Sequence, residues 1–269
     1  RYTDWQGVAS RLDSWIFSAP PEFGLWCAGN ASGRSASYSG PAWGIPSYAG
    51  ADRAPCNIQG PCLEKWEPGE GIPLMGILLT ATYLGIDRTT PVARLNGSSY
   101  LDSVFMYVGS PEVPLVSDHV LWPGQPVGIA GSSWYALYPN ILFAHLASAL
   151  PANGHSRWPK VVQGFATAPC GFNSTGFNFG NWTPYQNNRW YEQDSAIGTA
   201  FLSLSTASAL FGNLSDPRAA ELVGAADTAM EWLEHWPNNP LYEVLASYGA
   251  VTAARMNTEL GRDYNLTRL

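Results

Sequence analysis

Residues 193–211, QDSAIGTAFLSLSTASALF, and residues 216–235, DPRAAELVGAADTAMEWLEH, set two helical signatures side by side. The first carries no charge after Asp194, which suits a helix buried on all sides rather than one at a surface. The second opens with Asp216 and Pro217, a capping residue followed by one favoured at the first helical position. It puts Leu222, Ala226, Ala229 and Leu233 on one face, with Arg218, Glu221, Asp227, Glu231 and Glu234 elsewhere. The pair reads as an inner helix covered by an amphipathic outer one.

The same alternation extends in both directions. Upstream, residues 132–150 are apolar all round, and residues 156–167, with Arg157 and Lys160, have the character of a peripheral helix. Residues 72–86 carry no charge and predict another inner helix, followed by a half-polar segment at 98–108. A first amphipathic helix is expected over 3–17, with Thr3 and Gln6 at capping-box spacing and Trp5, Val8, Leu12, Trp15 and Ile16 in one stripe. Downstream, residues 240–260 begin at Asn239-Pro240, are almost uncharged until Arg255 and stop at Gly261. The order is outer then inner, four times, with inner helices starting near 72, 132, 193 and 241. An irregular bundle would also hold buried and exposed helices, and only short pieces such as 113–122 alternate with the period of a strand. Residues 18–70 are so rich in proline and glycine that they predict a long loop with no regular element.

Composition narrows the function. Charged residues make up 13% of 269 residues against about 25% in an average soluble domain, while 46% are hydrophobic. The net charge is −7 and the only lysines are Lys65 and Lys160, which argues against a nucleic-acid groove. No uninterrupted apolar run is long enough for a membrane span. There is no Gly-x-x-x-x-Gly-Lys loop, no dinucleotide fingerprint and no Gly-x-Ser-x-Gly elbow. The four histidines lack metal-binding spacing, so neither a metal nor a cofactor is expected.

Six Asn-x-Ser/Thr sequons, at Asn30, Asn96, Asn173, Asn181, Asn213 and Asn265, point to a glycosylated chain of the secretory pathway. Its expected location is extracellular. Starting at Arg1 without a leader, the chain is expected to have lost a signal peptide. Cys27, Cys56, Cys62 and Cys170 are even in number and lie in loop-like sequence, so two disulfides are expected. Of three connectivities, one closes Cys56 with Cys62 locally and leaves Cys27 with Cys170.

Trp190-Tyr191-Glu192-Gln193-Asp194 ahead of a small-residue helix, and Ala254-Arg255-Met256-Asn257 ahead of Leu260-Gly261, occur within this alternation. Together they make the chain resemble the (α/α) toroid enzymes of the six-hairpin glycosidase superfamily. A more distant similarity is to linalool dehydratase/isomerase, a barrel with an acidic pair ahead of an inner helix. Its Cys-Glu-Pro-Asp string is absent here, and Tyr191-Glu192-Gln193-Asp194 only approximates it. The resemblance implies an all-α single domain over 1–269, with a cleft where the N-termini of inner helices converge. Eight helices make four hairpins where such a toroid has six. The ring is therefore expected to be incomplete, and either a second chain or a C-terminal fragment of a longer protein would complete it.

The residues leading into the inner helices are the candidates for chemistry. Trp122, Trp134, Tyr135, Tyr185, Asn187, Trp190 and Tyr191 supply the rings and amide that stack on sugar faces and hydrogen-bond hydroxyls. Hydrolysis of a glycosidic bond needs one carboxylic acid to protonate the leaving oxygen and a second carboxylate to activate water or attack. Glu192 and Asp194 stand between an aromatic loop and an uncharged helix, where burial would raise a carboxyl pKa. Their alternative reading, shared by Glu243 near the start of the last helix, is as acids that satisfy free N–H groups in a first helical turn. Asp118-His119 would instead suit a lyase or dehydratase base, or is surface decoration. His145 reads as a core histidine. The expected function is a secreted glycoside hydrolase. The alternatives are a polysaccharide lyase or dehydratase/isomerase on the same scaffold, and a non-catalytic carbohydrate-binding or assembly subunit.

Overall fold

The uncharged stretches at 72–86 and 195–211 become largely buried helices in the computed structural model, and most of the described residues are helical. The structure describes residues 3–19, 27–32, 38–45, 71–109, 116, 133–150, 177–178, 183–184, 193–236 and 245–268. The chain divides into two units, Arg1–Glu112 with Val116–Pro126, and Val113–Leu115 with Val127–Leu269.

In the first unit, helix α1 (Trp5–Ser18) is capped by Asp4, whose carboxylate accepts the Gly7 N–H at 2.9 Å. The cap is thus Asp4 and not the Thr3–Gln6 box, because only the Asp4 side chain closes on the free donor one turn ahead. The face that α1 buries also differs from the expected stripe. Asp13 and Phe17 point inward, whereas Trp5 (74%), Val8 (39%), Leu12 (44%) and Trp15 (55%) are exposed. Phe17 stacks on Trp43 at 4.8 Å between ring centroids and meets Tyr100 edge-on at 4.7 Å. Asp13 pairs with Arg88, whose guanidinium lies over the Phe17 ring. The inward face was chosen by one ion pair and an aromatic cluster.

Helix α2 (Gly71–Tyr83) packs against α1 and against a 3-10 helix at Leu101–Tyr107. That 3-10 segment, expected as a half-polar peripheral helix, is buried at every position except Asp102. Asp102 turns back to accept from Ser99 N and Oγ at 2.8 and 2.9 Å. The breaker-rich stretch also holds a short antiparallel ladder, β1 (Cys27–Asn30) with β2 (Pro41–Gly44), so it is not wholly irregular. The Trp43 N–H donates to Ser103 Oγ at 2.8 Å and ties this ladder to the 3-10 helix, a long-range contact with no local sequence signal.

The second unit contains helices α3 (Ser133–Ala149), α4 (Gln193–Phe211), α5 (Ala220–Glu234) and α6 (Leu245–Leu260), with a two-residue ladder of β3 (Phe177–Asn178) and β4 (Thr183–Pro184). Helix α4 is the hub, in contact with α3, α5 and α6, and every residue from 196 to 207 is buried. Helix α5 turns Leu222, Ala226, Ala229 and Leu233 inward and leaves Glu221 and Glu231 exposed, as its amphipathic pattern requires. A 3-10 turn at Pro217–Ala219, with Asp216 accepting the Arg218 N–H at 2.9 Å, starts it. Gly261, with φ of 66°, follows α6 in the left-handed conformation that glycine tolerates at a helix end. The tail beyond it is tied to α5: Arg262 donates to both carboxylate oxygens of Asp227 at 2.8 and 2.7 Å, and Tyr264 donates to Asp227 Oδ1 at 2.8 Å. Desolvation and this Asp227 bond push the Tyr264 phenol above its ordinary pKa.

Candidate functional site

Two helices of the second unit, α4 and α6, run in the same direction. Phe201 on α4 meets Tyr248 on α6 edge-on, with ring centroids 4.8 Å apart. Seven residues further along both helices, the Arg255 guanidinium donates to Ser208 Oγ at 2.9 Å. Contacts that advance together along two helices mean a parallel pair. Helix α3 packs beside this pair: Tyr138 and His145 both approach Tyr248, each at 6.2 Å. Helix α5, joined to α4 by residues 212–219, returns in the opposite direction. Helix α6, expected as a buried inner helix, instead leaves Ser247, Val251, Thr258 and Glu259 exposed, so only α4 of this succession is buried along most of its length.

This geometry gathers the N-termini of α4 and α6 at one end of the unit, where their positive ends reinforce one another. By backbone position, Trp134 and Tyr135 occupy the first turn of α3, and Asp194 occupies the first turn of α4. Helix α6 begins at Leu245, two residues after Glu243. Glu192 immediately precedes Gln193, the first residue of α4, and itself lies outside the described residues with Glu243, Asp118, His119, Trp122, Tyr185, Asn187, Trp190 and Tyr191. A carboxylate in such a turn is stabilised by about 0.3–1 kcal/mol through the helix dipole, whatever its chemical role.

Away from that end, His145 is half-buried, with its ring edge-on to Phe201 at 5.4 Å. Burial first, and then the Arg255 charge, holds its imidazole below the ordinary value of 6.5. The core position expected for it is met only in part, since its ring packs against aromatic neighbours but is half-buried. Helix α4 also carries Thr199, Ser203 and Thr206, whose buried hydroxyls have no hydrogen-bond partner among the described residues. In the other helices Thr80, Thr82, Thr228, Thr252 and Thr258 all donate to the carbonyl four residues back. Sequence reading missed two ionic groups, Asp13 with Arg88 and Asp227 with Arg262 and Tyr264. Their partners lie 75 and 35 to 37 residues apart, beyond the reach of any local spacing rule.

Among the described residues no group of His, Cys, Asp and Glu could hold a metal ion, and no helix is long and apolar enough to cross a membrane. Cys27 stands on β1, while Cys56, Cys62 and Cys170 lie outside the described residues. Of the sequons, Asn30, Asn96, Asn213 and Asn265 are described, and Asn173 and Asn181 are not. No protein-family model matches the chain, and no curated protein or solved structure was found to be similar to it.

Proposed function

We propose that this protein is a secreted glycoside hydrolase whose site lies at the shared N-terminal end of α4 and α6, with Trp134 and Tyr135 of α3 among its sugar-binding rings. The observation that supports the reading is the parallel course of α4 and α6, which brings the first turn of α4, with Asp194, and the start of α6, two residues after Glu243, to the same end of one unit. Glu192 and Asp194 are the acid and base in this proposal, and Glu243 is the reserve carboxylate. Tyr185, Asn187, Trp190 and Tyr191, close before α4 in the chain, would stack on and hydrogen-bond the sugar. The reading extends to a partner: a second subunit with further helices of the same repeat would cover the uncharged line of Trp5, Val8, Leu12 and Trp15 on α1.

The test is turnover of a polysaccharide panel by the full-length chain. Release of reducing ends without a new ultraviolet chromophore is the expected result. An unsaturated uronate product would assign elimination instead, with Asp118 and His119 as the group to examine, and binding without turnover would assign a carbohydrate-binding subunit. Light scattering tests the partner: an active monomer with no companion chain contradicts it.

A further inference from the structure

We infer that Asn30, Asn213 and Asn265 are attachment sites for N-linked oligosaccharides, and that the latter two bracket helix α5. The inference stands apart from the catalytic proposal. Asn30, Asn213 and Asn265 are exposed, and each folds its side chain in the same way. Asn30 Oδ1 accepts the Ser32 N–H at 2.9 Å, Asn213 Oδ1 the Ser215 N–H at 2.9 Å, and Asn265 Oδ1 the Thr267 N–H at 3.1 Å. The Thr267 hydroxyl also donates to Asn265 Oδ1, at 2.8 Å. The residue that completes each sequon is thus the one that holds the amide oxygen against the backbone. The amide nitrogen is left with no hydrogen bond to the described residues, on an exposed side chain where a bulky sugar fits.

Asparagines outside sequons provide the contrast. Asn140 is fully buried, and Asn257 is half-buried with its Nδ2 donating to the Tyr264 carbonyl at 2.9 Å and its Oδ1 accepting the Tyr264 N–H at 2.8 Å. Neither could carry a glycan without loss of packing or bonds. Asn96 is exposed but has its own structural explanation. Its φ of 49° is left-handed, a conformation that asparagine tolerates better than most residues, and the Ser98 N–H is taken by the Leu95 carbonyl. It is not part of the inference.

The chemistry is transfer from a lipid-linked pyrophosphoryl oligosaccharide. The asparagine Nδ2 forms a bond to the anomeric carbon, the bond from that carbon to the pyrophosphate oxygen breaks, the pyrophosphate leaves with the electron pair, and the amide nitrogen loses one proton. Asn213 lies in the turn between α4 and α5. The Asn265 N–H donates to Glu234 Oε1 at 2.7 Å, at the far end of α5. Two glycans about 22 Å apart, the rise of fifteen residues, would flank the exposed face of α5 and keep it in solvent.

The experiment uses the full-length chain expressed through a eukaryotic secretory pathway and treated with peptide-N-glycosidase in heavy-oxygen water. Peptide mapping should then show labelled aspartate at positions 30, 213 and 265. Intact mass should fall by one oligosaccharide in each of N30Q, N213Q and N265Q, and equally in S32A, S215A and T267A, which keep the asparagine. An intact mass unchanged by the glycosidase, or absence of label at these three positions, would overturn the inference.

Discussion

Asp13 is 1% exposed, with one carboxylate oxygen on the Arg88 guanidinium and the other without a hydrogen-bond partner. The Arg88 guanidinium carbon lies 3.6 Å from the Phe17 ring centroid, so the cation also faces an aromatic surface. A buried pair of this kind adds little net stability, but removal of one partner strands the other. Asp13→Ala should therefore lower the unfolding free energy by about 3–5 kcal/mol, read from urea denaturation. A loss below about 1 kcal/mol would mean that Arg88 reaches water once its partner is gone. His145 sets a pH dependence of definite sign. Its folded pKa lies below the unfolded value of 6.5, so the unfolded chain binds more protons as pH falls through that window. Its contribution is fully present above about 6.5 and is lost as pH falls towards its folded value. His145→Gln, which does not titrate, should flatten the stability profile in that window; an unchanged slope would place its origin in other groups.

Helix α4 shows what sequence patterning predicts and what it leaves out. The absence of charge after Asp194 is enough to place the helix in the interior, because burial of unpaired charge costs several kcal/mol. The same logic makes α5 amphipathic and identifies its inward residues one by one. Patterning failed at α1, where the apolar stripe faces out because Asp13 and Phe17 find partners far along the chain. It also failed at Leu101–Tyr107, where tertiary packing buries a segment that reads as half-polar. Of the candidate site, the helix starts were legible, at 133 for an expected 132 and at 193 as expected. The parallel course of α4 and α6 was not read from spacing alone, since it depends on which side chains meet across the helices. The buried hydroxyls of α4 yield a further expectation. Thr206 has an unmet hydroxyl, and an apolar residue of the same shape removes a desolvation cost of about 1–3 kcal/mol. Thr206→Val should leave the melting temperature unchanged or raise it; a clear fall would show that the hydroxyl has a partner in solution, such as a bound water.

At the scale of the whole molecule, the second unit brings the N-termini of α4 and α6 to one end, with Asp194 in the first turn of α4, and the proposed carbohydrate site is built there. Two ionic clusters serve packing: Asp13 with Arg88 holds α1, and Asp227 with Arg262 and Tyr264 straps the tail to α5. The catalytic proposal rests instead on the carboxylates at the start of α4. Glycosidase chemistry demands a proton donor and a base on either side of the scissile bond, and Glu192 and Asp194 are the pair proposed for it. The most direct test is the rate of reducing-end release by Glu192→Gln and Asp194→Asn on a polysaccharide that the wild type cleaves, with melting temperature followed in parallel. The account predicts a fall of about 10²–10⁴ in rate for each variant with the fold retained. Near-native turnover in both variants, with unchanged melting, would contradict it and move the site away from the start of α4.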